Sequence, residues 1–189
     1  MIALDTFVSQ RTFRVLLDAL AHPGRLLELP EEAWAPGLPA ALAVPLALAD
    51  IGQRVAVVGA DVARWAEHLS GATSCALVEP ADADEVVVLD HATPALVASL
   101  RRGTPLSPER GCRLVLACTS LGPGGPVRLG LRGPGVATSA ELGVAGIDAG
   151  VFVALAEANL AFPTGVDCFL VARDGALAGL PRSVTMEVG

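Results

Sequence analysis

Three segments of this chain are apolar at every position of a strand-length run. They are Val55-Ala56-Val57-Val58, Val86-Val87-Val88-Leu89 and Leu114-Val115-Leu116-Ala117-Cys118. A strand with one wet face alternates apolar and polar residues; a strand without that alternation is buried on both faces. Something must cover both faces, and the helical patterns between these runs supply it, so the reading is a mixed α/β chain. With 189 residues, 52% of them hydrophobic and 17% charged, the chain has the length of one domain and the material for a real core.

The helical patterns are explicit. Phe13, Leu16, Leu17, Leu20 and Ala21 recur at i, i+3, i+4, i+7 and i+8, which predicts one apolar stripe on a first helix. Arg14 and Asp18 fall off the stripe at the four-residue spacing of an ion pair. His22-Pro23-Gly24 ends that helix, because Pro23 disfavours helical geometry at His22 and Gly24 permits the turn. Residues 25–29 read as a short strand. Residues 39–50 read as a helix that is apolar nearly all round and kinked at Pro45. Residues 61–69, 93–102 and 148–160 are the other helices, with Asp61 and Thr93 as caps. Further strands are expected at 74–78, 85–89, 113–120, 127–132, 167–173, 177–180 and 183–188. Gly122-Pro123-Gly124-Gly125-Pro126 and Asp174-Gly175 read as hairpin turns. The pattern amounts to about seven or eight strands and five helices, in a single domain spanning 1–189.

Composition excludes several functions. A net charge of −7 argues against a general nucleic-acid binder, which needs a basic footprint. Every basic residue is Arg; the chain holds no Lys and no Tyr. Without Lys there is no internal Schiff base to pyridoxal phosphate and no P-loop lysine. Cys75, Cys112, Cys118 and Cys168 show no C-x-x-C or Cys–His ligand spacing, so no structural zinc is expected. The start, residues 1–7, lacks the basic and apolar regions of a leader, and the apolar run at 40–49 is too short to span a bilayer. The expected location is cytoplasmic, with no membrane partner and reduced thiols.

Candidate functional residues are few. Gly122 opens a glycine turn that leads into an alternating strand, the wrong context for a dinucleotide cradle. Asp50, Asp90 and Asp167 stand at element boundaries, where Asp serves either function or turn chemistry. His22 stands at a helix C-terminus, which favours its imidazolium form. Arg14, Arg25, Arg128, Arg132 and Arg182 are an anion site or ordinary surface cations. Ser120 and Ser183 lack a nucleophile elbow.

Phe13-Arg14-x-Leu16-Leu17 followed by His22-Pro23-Gly24 resembles the opening of PhnH-type subunits of the carbon–phosphorus lyase complex. The resemblance continues in order through Leu48-Ala49-Asp50, Gly103-Thr104, Pro108-Glu109, Gly111, Ser120-Leu121, Gly124-Gly125 and Arg128-Leu129. It ends on Phe162-Pro163-x-Gly165-x-Asp167 and Pro181-Arg182-Ser183, with Glu187-Val188 beyond. The resemblance implies an α/β fold with a mixed, largely parallel central sheet and helices on both faces. That fold is similar to the large domain of pyridoxal-phosphate-dependent transferases, with the cofactor lost. It implies a cytoplasmic subunit without a cofactor, a homodimer when alone, that joins subunits I, G and J in a complex. With subunits G, I and L it would serve synthesis of α-D-ribose 1-methylphosphonate 5-triphosphate from ATP and methylphosphonate; subunit J, a radical enzyme, cleaves the carbon–phosphorus bond afterwards. It supplies no catalytic residue. Arg14, His22, Asp50, Asp167 and Arg182 match family motifs and are the ligand-binding or interface candidates. The competing readings are an independent dimeric nucleotide- or phosphonate-binding protein, and a stand-alone enzyme using His22 or Cys112.

Overall fold

The computed structural model describes residues 4–34 and 37–189; residues 1–3, part of the stretch assessed above for a leader, lie outside the described residues. In chain order the elements are α1 (Thr6–Ala21), β1 (Leu27–Glu28), α2 (Ala43–Leu48), β2 (Arg54–Val58), α3 (Val62–Thr73), β3 (Ala76–Leu77), β4 (Glu85–Val88) and α4 (Pro94–Ser99). They continue with β5 (Arg102–Thr104), β6 (Ser107–Gly111), β7 (Arg113–Cys118), β8 (Ser120–Leu121), β9 (Val127–Arg132), β10 (Ala140–Ala145), α5 (Ala149–Ala158), β11 (Asp167–Ala172), β12 (Ala176–Leu180) and β13 (Thr185–Val188).

The main sheet has seven strands in the order β1-β12-β11-β7-β4-β2-β3. The run from β11 to β3 is parallel throughout. After the Asp174-Gly175 hairpin, β12 returns antiparallel, and β1 pairs antiparallel beyond it. The expected mixed, mostly parallel sheet is therefore present. Its apolar strands split with period two between two cores. Val87, Val115, Phe169 and Val171 point to one side, against Leu16 and Ala19 of α1, Val44 and Leu46 of α2, and Trp65 and Leu69 of α3. Val86, Val88, Leu114, Leu116 and Leu170 point to the other, against Val97 of α4 and Val151, Phe152 and Leu155 of α5. That second side is shared with an antiparallel sheet, β13-β9-β10-β8, whose Leu129, Leu131, Leu142 and Val144 join the same core. Helices cover both faces, and on one of them a second sheet completes the cover.

Several local expectations are corrected. On α1, Phe13 and Leu17 are 49% and 58% exposed, while Thr12, Leu16 and Ala19 are buried. The Thr12 hydroxyl donates to the Val8 carbonyl at 2.9 Å, so a polar residue sits in the core at little cost. Pro45 stands in the first turn of α2, where its missing N–H would have no intrahelical acceptor; residues 40–42 form a separate 3₁₀ turn. Thr93 caps α4 as expected, accepting from Leu96 N at 3.2 Å, but the helix stops at Ser99. The Gly122–Pro126 turn is not a hairpin: β10 lies between β8 and β9 and pairs with both. No helix of the described residues is long and apolar enough to cross a membrane.

Candidate functional site

The two ends of the parallel strands carry different chemistry. At the N-terminal ends the charges neutralise one another. Asp84, just before β4, accepts from Arg54 Nη2 at 2.7 Å and from Arg101 Nη1 at 2.6 Å. Hydrogen bonding from Arg54, foremost, holds the Asp84 carboxyl down at about 2. Glu85, the first residue of β4, is fully buried, and Arg113 at the start of β7 donates to its Oε2. Burial pushes the Glu85 carboxyl up, and the Arg113 charge offsets only part of that. Asp167, the first residue of β11, grips Arg182. Its Oδ2 accepts from Nη2 at 2.7 Å and Nε at 3.1 Å, and its Oδ1 accepts from the Arg182 backbone N–H at 2.8 Å. Arg182 Nη1 also donates to the Pro108 carbonyl at 2.6 Å. This clamp ties β11, the β12–β13 connection and the β5–β6 ribbon together.

Of the five sequence candidates, the structure thus brings together only Asp167 and Arg182, and it uses them on each other. Arg14 lies on exposed α1 beside a groove lined by Glu28, Glu31 and Glu32. Asp18 does not pair with Arg14: it faces His22 Nδ1 at 2.7 Å and Arg25 Nη1 at 3.5 Å. Asp50 is exposed in the turn before β2, its carbonyl accepting from Gln53 N at 3.2 Å. The five arginines read as an anion site do not converge. Arg25 and Arg182 are in the pairs just described; Arg128 faces Glu141 and shares one groove with Arg132 and Glu187, while Arg14 and Arg182 line two others. Cys112 is fully buried, and burial pushes its thiol up to about 12, which removes it as a nucleophile.

At the C-terminal ends a cleft of about 500 Å³ opens over β4, β7 and β11. Each strand delivers its first polar residues there: Asp90 and His91 after β4, Thr119 after β7, Arg173 after β11. The ladders end at Val88–Leu116 and Cys118–Ala172, so Thr119 and Arg173 each lie one residue past the last paired position and Asp90 two past Val88. Asp90 Oδ2 accepts from the Ala60 N–H at 2.9 Å, which pins the turn after β2. Gly59, at φ +134°, makes that approach possible, since a Cβ there would lie 2.9 Å from Asp90 Oδ1. His91 is held in the left-handed region, at φ 49°. Open α/β sheets bind ligands at this carboxyl edge; the reversal of strand order falls to one side of the cleft, between β2 and β4, and β2 supplies none of its lining. Of these residues the sequence reading noted only Asp90, as a boundary. The signal was present: Asp90, Thr119 and Arg173 each directly follow an unbroken apolar run, and His91 comes next after Asp90. The cleft offers hydrogen-bond donors and one carboxylate. It offers no thiolate, because burial pushes the Cys118 thiol up to about 12. Among the described residues no group of three His, Cys, Asp or Glu side chains could hold a metal ion.

Comparison with known proteins gives one family. The family model of the bacterial phosphonate metabolism protein PhnH matches residues 3–187. HtxG of Stutzerimonas stutzeri, named as a candidate C–P lyase subunit protein, is 31% identical over 183 residues, covering 95% of this chain and 86% of its own. The alpha-D-ribose 1-methylphosphonate 5-triphosphate synthase subunit PhnH of Rhizobium meliloti (strain 1021) is 32% identical over 191 residues, covering 96% of this chain and 91% of its own. The match runs through both sheets, the Asp167–Arg182 clamp and the strand ends that build the cleft. The chain belongs to the PhnH family of bacterial phosphonate metabolism proteins.

Proposed function

We propose that this chain serves phosphonate catabolism as a subunit of the carbon–phosphorus lyase assembly, in synthesis of α-D-ribose 1-methylphosphonate 5-triphosphate from ATP and methylphosphonate. The observation that carries the reading is the end-to-end family match, with relatives named as subunits of such an assembly. The chemistry of the chain supports it. Burial raises the Cys112, Cys118 and Cys168 thiols, and Asp84, Glu85 and Asp167 are committed to arginines of the fold. A subunit whose partners contribute to the reaction has this character. Apolar side chains at the surface supply contact area for those partners: Phe13 and Leu17 on α1, and Val153, Leu160 and Phe162 on and after α5. The partners in this reading are a second copy of the chain when it is alone, and subunits I, G and J in the complex, in the cytoplasm.

The main sheet is read as the large domain of a pyridoxal-phosphate-dependent transferase that works without its cofactor. Five parallel strands with a cleft at their carboxyl ends support the likeness. The residues do not fit the covalent cofactor: a chain without Lys has no amine for the internal Schiff base.

The test is deletion of the gene in its native host, with methylphosphonate as the sole phosphorus source, and affinity purification of a tagged copy. Growth should fail, return on complementation, and the tagged protein should co-purify with the other lyase subunits. Unchanged growth of the deletion strain overturns the reading.

A further inference from the structure

Gly130 stands in the middle of β9, and no packing among the described residues requires a glycine there. The other strand glycines have a reason in the fold: a Cβ on Gly103, Gly111, Gly143 or Gly179 would lie less than 3.0 Å from a backbone carbonyl oxygen. A Cβ on Gly130 would meet only Glu187, no nearer than 3.7 Å, and its φ is not positive. The ladders on both sides of it run without a bulge. Glycine weakens a strand interior, and where neither a bend nor a bulge calls for it, it marks a place that a ligand or another backbone approaches closely.

Four charged side chains surround that bare position. Along β9, Leu129 and Leu131 are buried, while Arg128 and Arg132 share the outer face with Gly130. Across the sheet, Gly130 is opposite Glu141 of β10 and Glu187 of β13. All five residues line one groove of about 540 Å³. Each arginine is two strand residues from Gly130, about 6.7 Å, a gap that a long side chain closes to stacking contact. Arg128 already leans that way: its Nη1 donates at 3.2 Å to Glu141 Oε1, and Glu141 is level with Gly130. Arg132 and Glu187 make no ion pair among the described residues. A flat ring set on Gly130 therefore has a guanidinium for each face and a carboxylate, not yet engaged, at its edge. Guanidinium planes stack on heteroaromatic rings.

We infer that this groove binds a planar nitrogen heterocycle carrying the 2-amino-4-oxopyrimidine edge that guanine and pterins share. The ring stands on Gly130 between Arg128 and Arg132. Its ring N–H and the adjacent amino N–H donate side by side to the two oxygens of Glu187, which as a carboxylate only accepts. Adenine places a bare ring nitrogen beside its amino group, so one carboxylate oxygen would face a lone pair. The net charge of −7 favours a free nucleoside or pterin over a guanine in a nucleic acid. The groove lies on the antiparallel sheet, away from the cleft over β4, β7 and β11, and a failed titration leaves the growth test untouched.

Calorimetric titration of the full chain decides it, with guanosine, neopterin, inosine and adenosine as probes. Guanosine, neopterin or both should bind at least tenfold more tightly than adenosine and than inosine, which lacks the amino group; the tighter of the two identifies the source. Glu187→Gln, at an exposed side chain, should weaken that binding at least tenfold. Gly130→Val places a side chain on the floor of the groove and should abolish binding, while Tm holds or rises because valine suits a strand. Equal binding of adenosine or inosine, no binding of guanosine or neopterin, indifference to Glu187→Gln, or a fall in Tm with Gly130→Val overturns the inference.

Discussion

Replacing Arg182 with Ala tests whether the Asp167–Arg182 clamp holds the fold together. Asp167 and Arg182 are 27% and 13% exposed at their side chains, a largely buried pair. Truncation removes both guanidinium bonds to Asp167 Oδ2 and the bond to the Pro108 carbonyl. Asp167 is then left with the Arg182 backbone N–H alone. Breaking a buried pair from one side costs about 3–5 kcal/mol, because the remaining charge is uncompensated. Asp167 keeps some access to water, so the expected loss is at the lower end, about 3 kcal/mol. At this chain length each kcal/mol shifts Tm by roughly 2–4 °C, which gives a fall of roughly 6–12 °C. Urea unfolding should show a lower midpoint with an unchanged slope. In a double-mutant cycle with Asp167→Asn, the two losses should be far from additive. A stability loss under about 1 kcal/mol would refute the clamp.

Two further expectations follow from the buried groups. Native protein should resist a thiol–disulfide exchange reagent at pH 8, because all four cysteines are buried and burial raises the Cys112, Cys118 and Cys168 thiols. Denaturant should expose all four at once; fast native labelling would contradict the packing. The two carboxylates at the start of β4 give opposite pH dependences. Asp84, held at about 2 against an ordinary 3.8, contributes stability that is present above 3.8 and lost as pH falls toward 2. Its side chain is 37% exposed, so after screening the loss is about 1 kcal/mol, and Asp84→Asn should abolish it. Glu85 is raised above 4.5, so its contribution is complete below 4.5 and is lost as pH climbs through its folded value. Denaturation of Glu85→Gln across that range should show a flatter profile; an unchanged slope would count against the buried, raised carboxyl.

The sequence by itself determined the elements whose signals are local. The unbroken runs around Val57, Val87 and Val115 marked strands covered on both faces, and the Asp174-Gly175 turn and the Thr93 cap stood where their chemistry placed them. Composition alone removed the Schiff base. The ordered motifs from Arg14 to Arg182 carried the family. Tertiary structure decided which face of α1 is inside, burying Thr12 and leaving Phe13 in water, because a helix turns toward the partner that packs best and a hydroxyl can be satisfied by its own backbone. It decided that β10, and not β9, lies beside β8, since a turn sets a local bend and not a strand's neighbour. It also decided the use of each charge. Asp167 and Arg182 met and neutralised each other, while Asp90, His91, Thr119 and Arg173 came together from three strands. Charges act through distance in space, and only the closed sheet sets those distances.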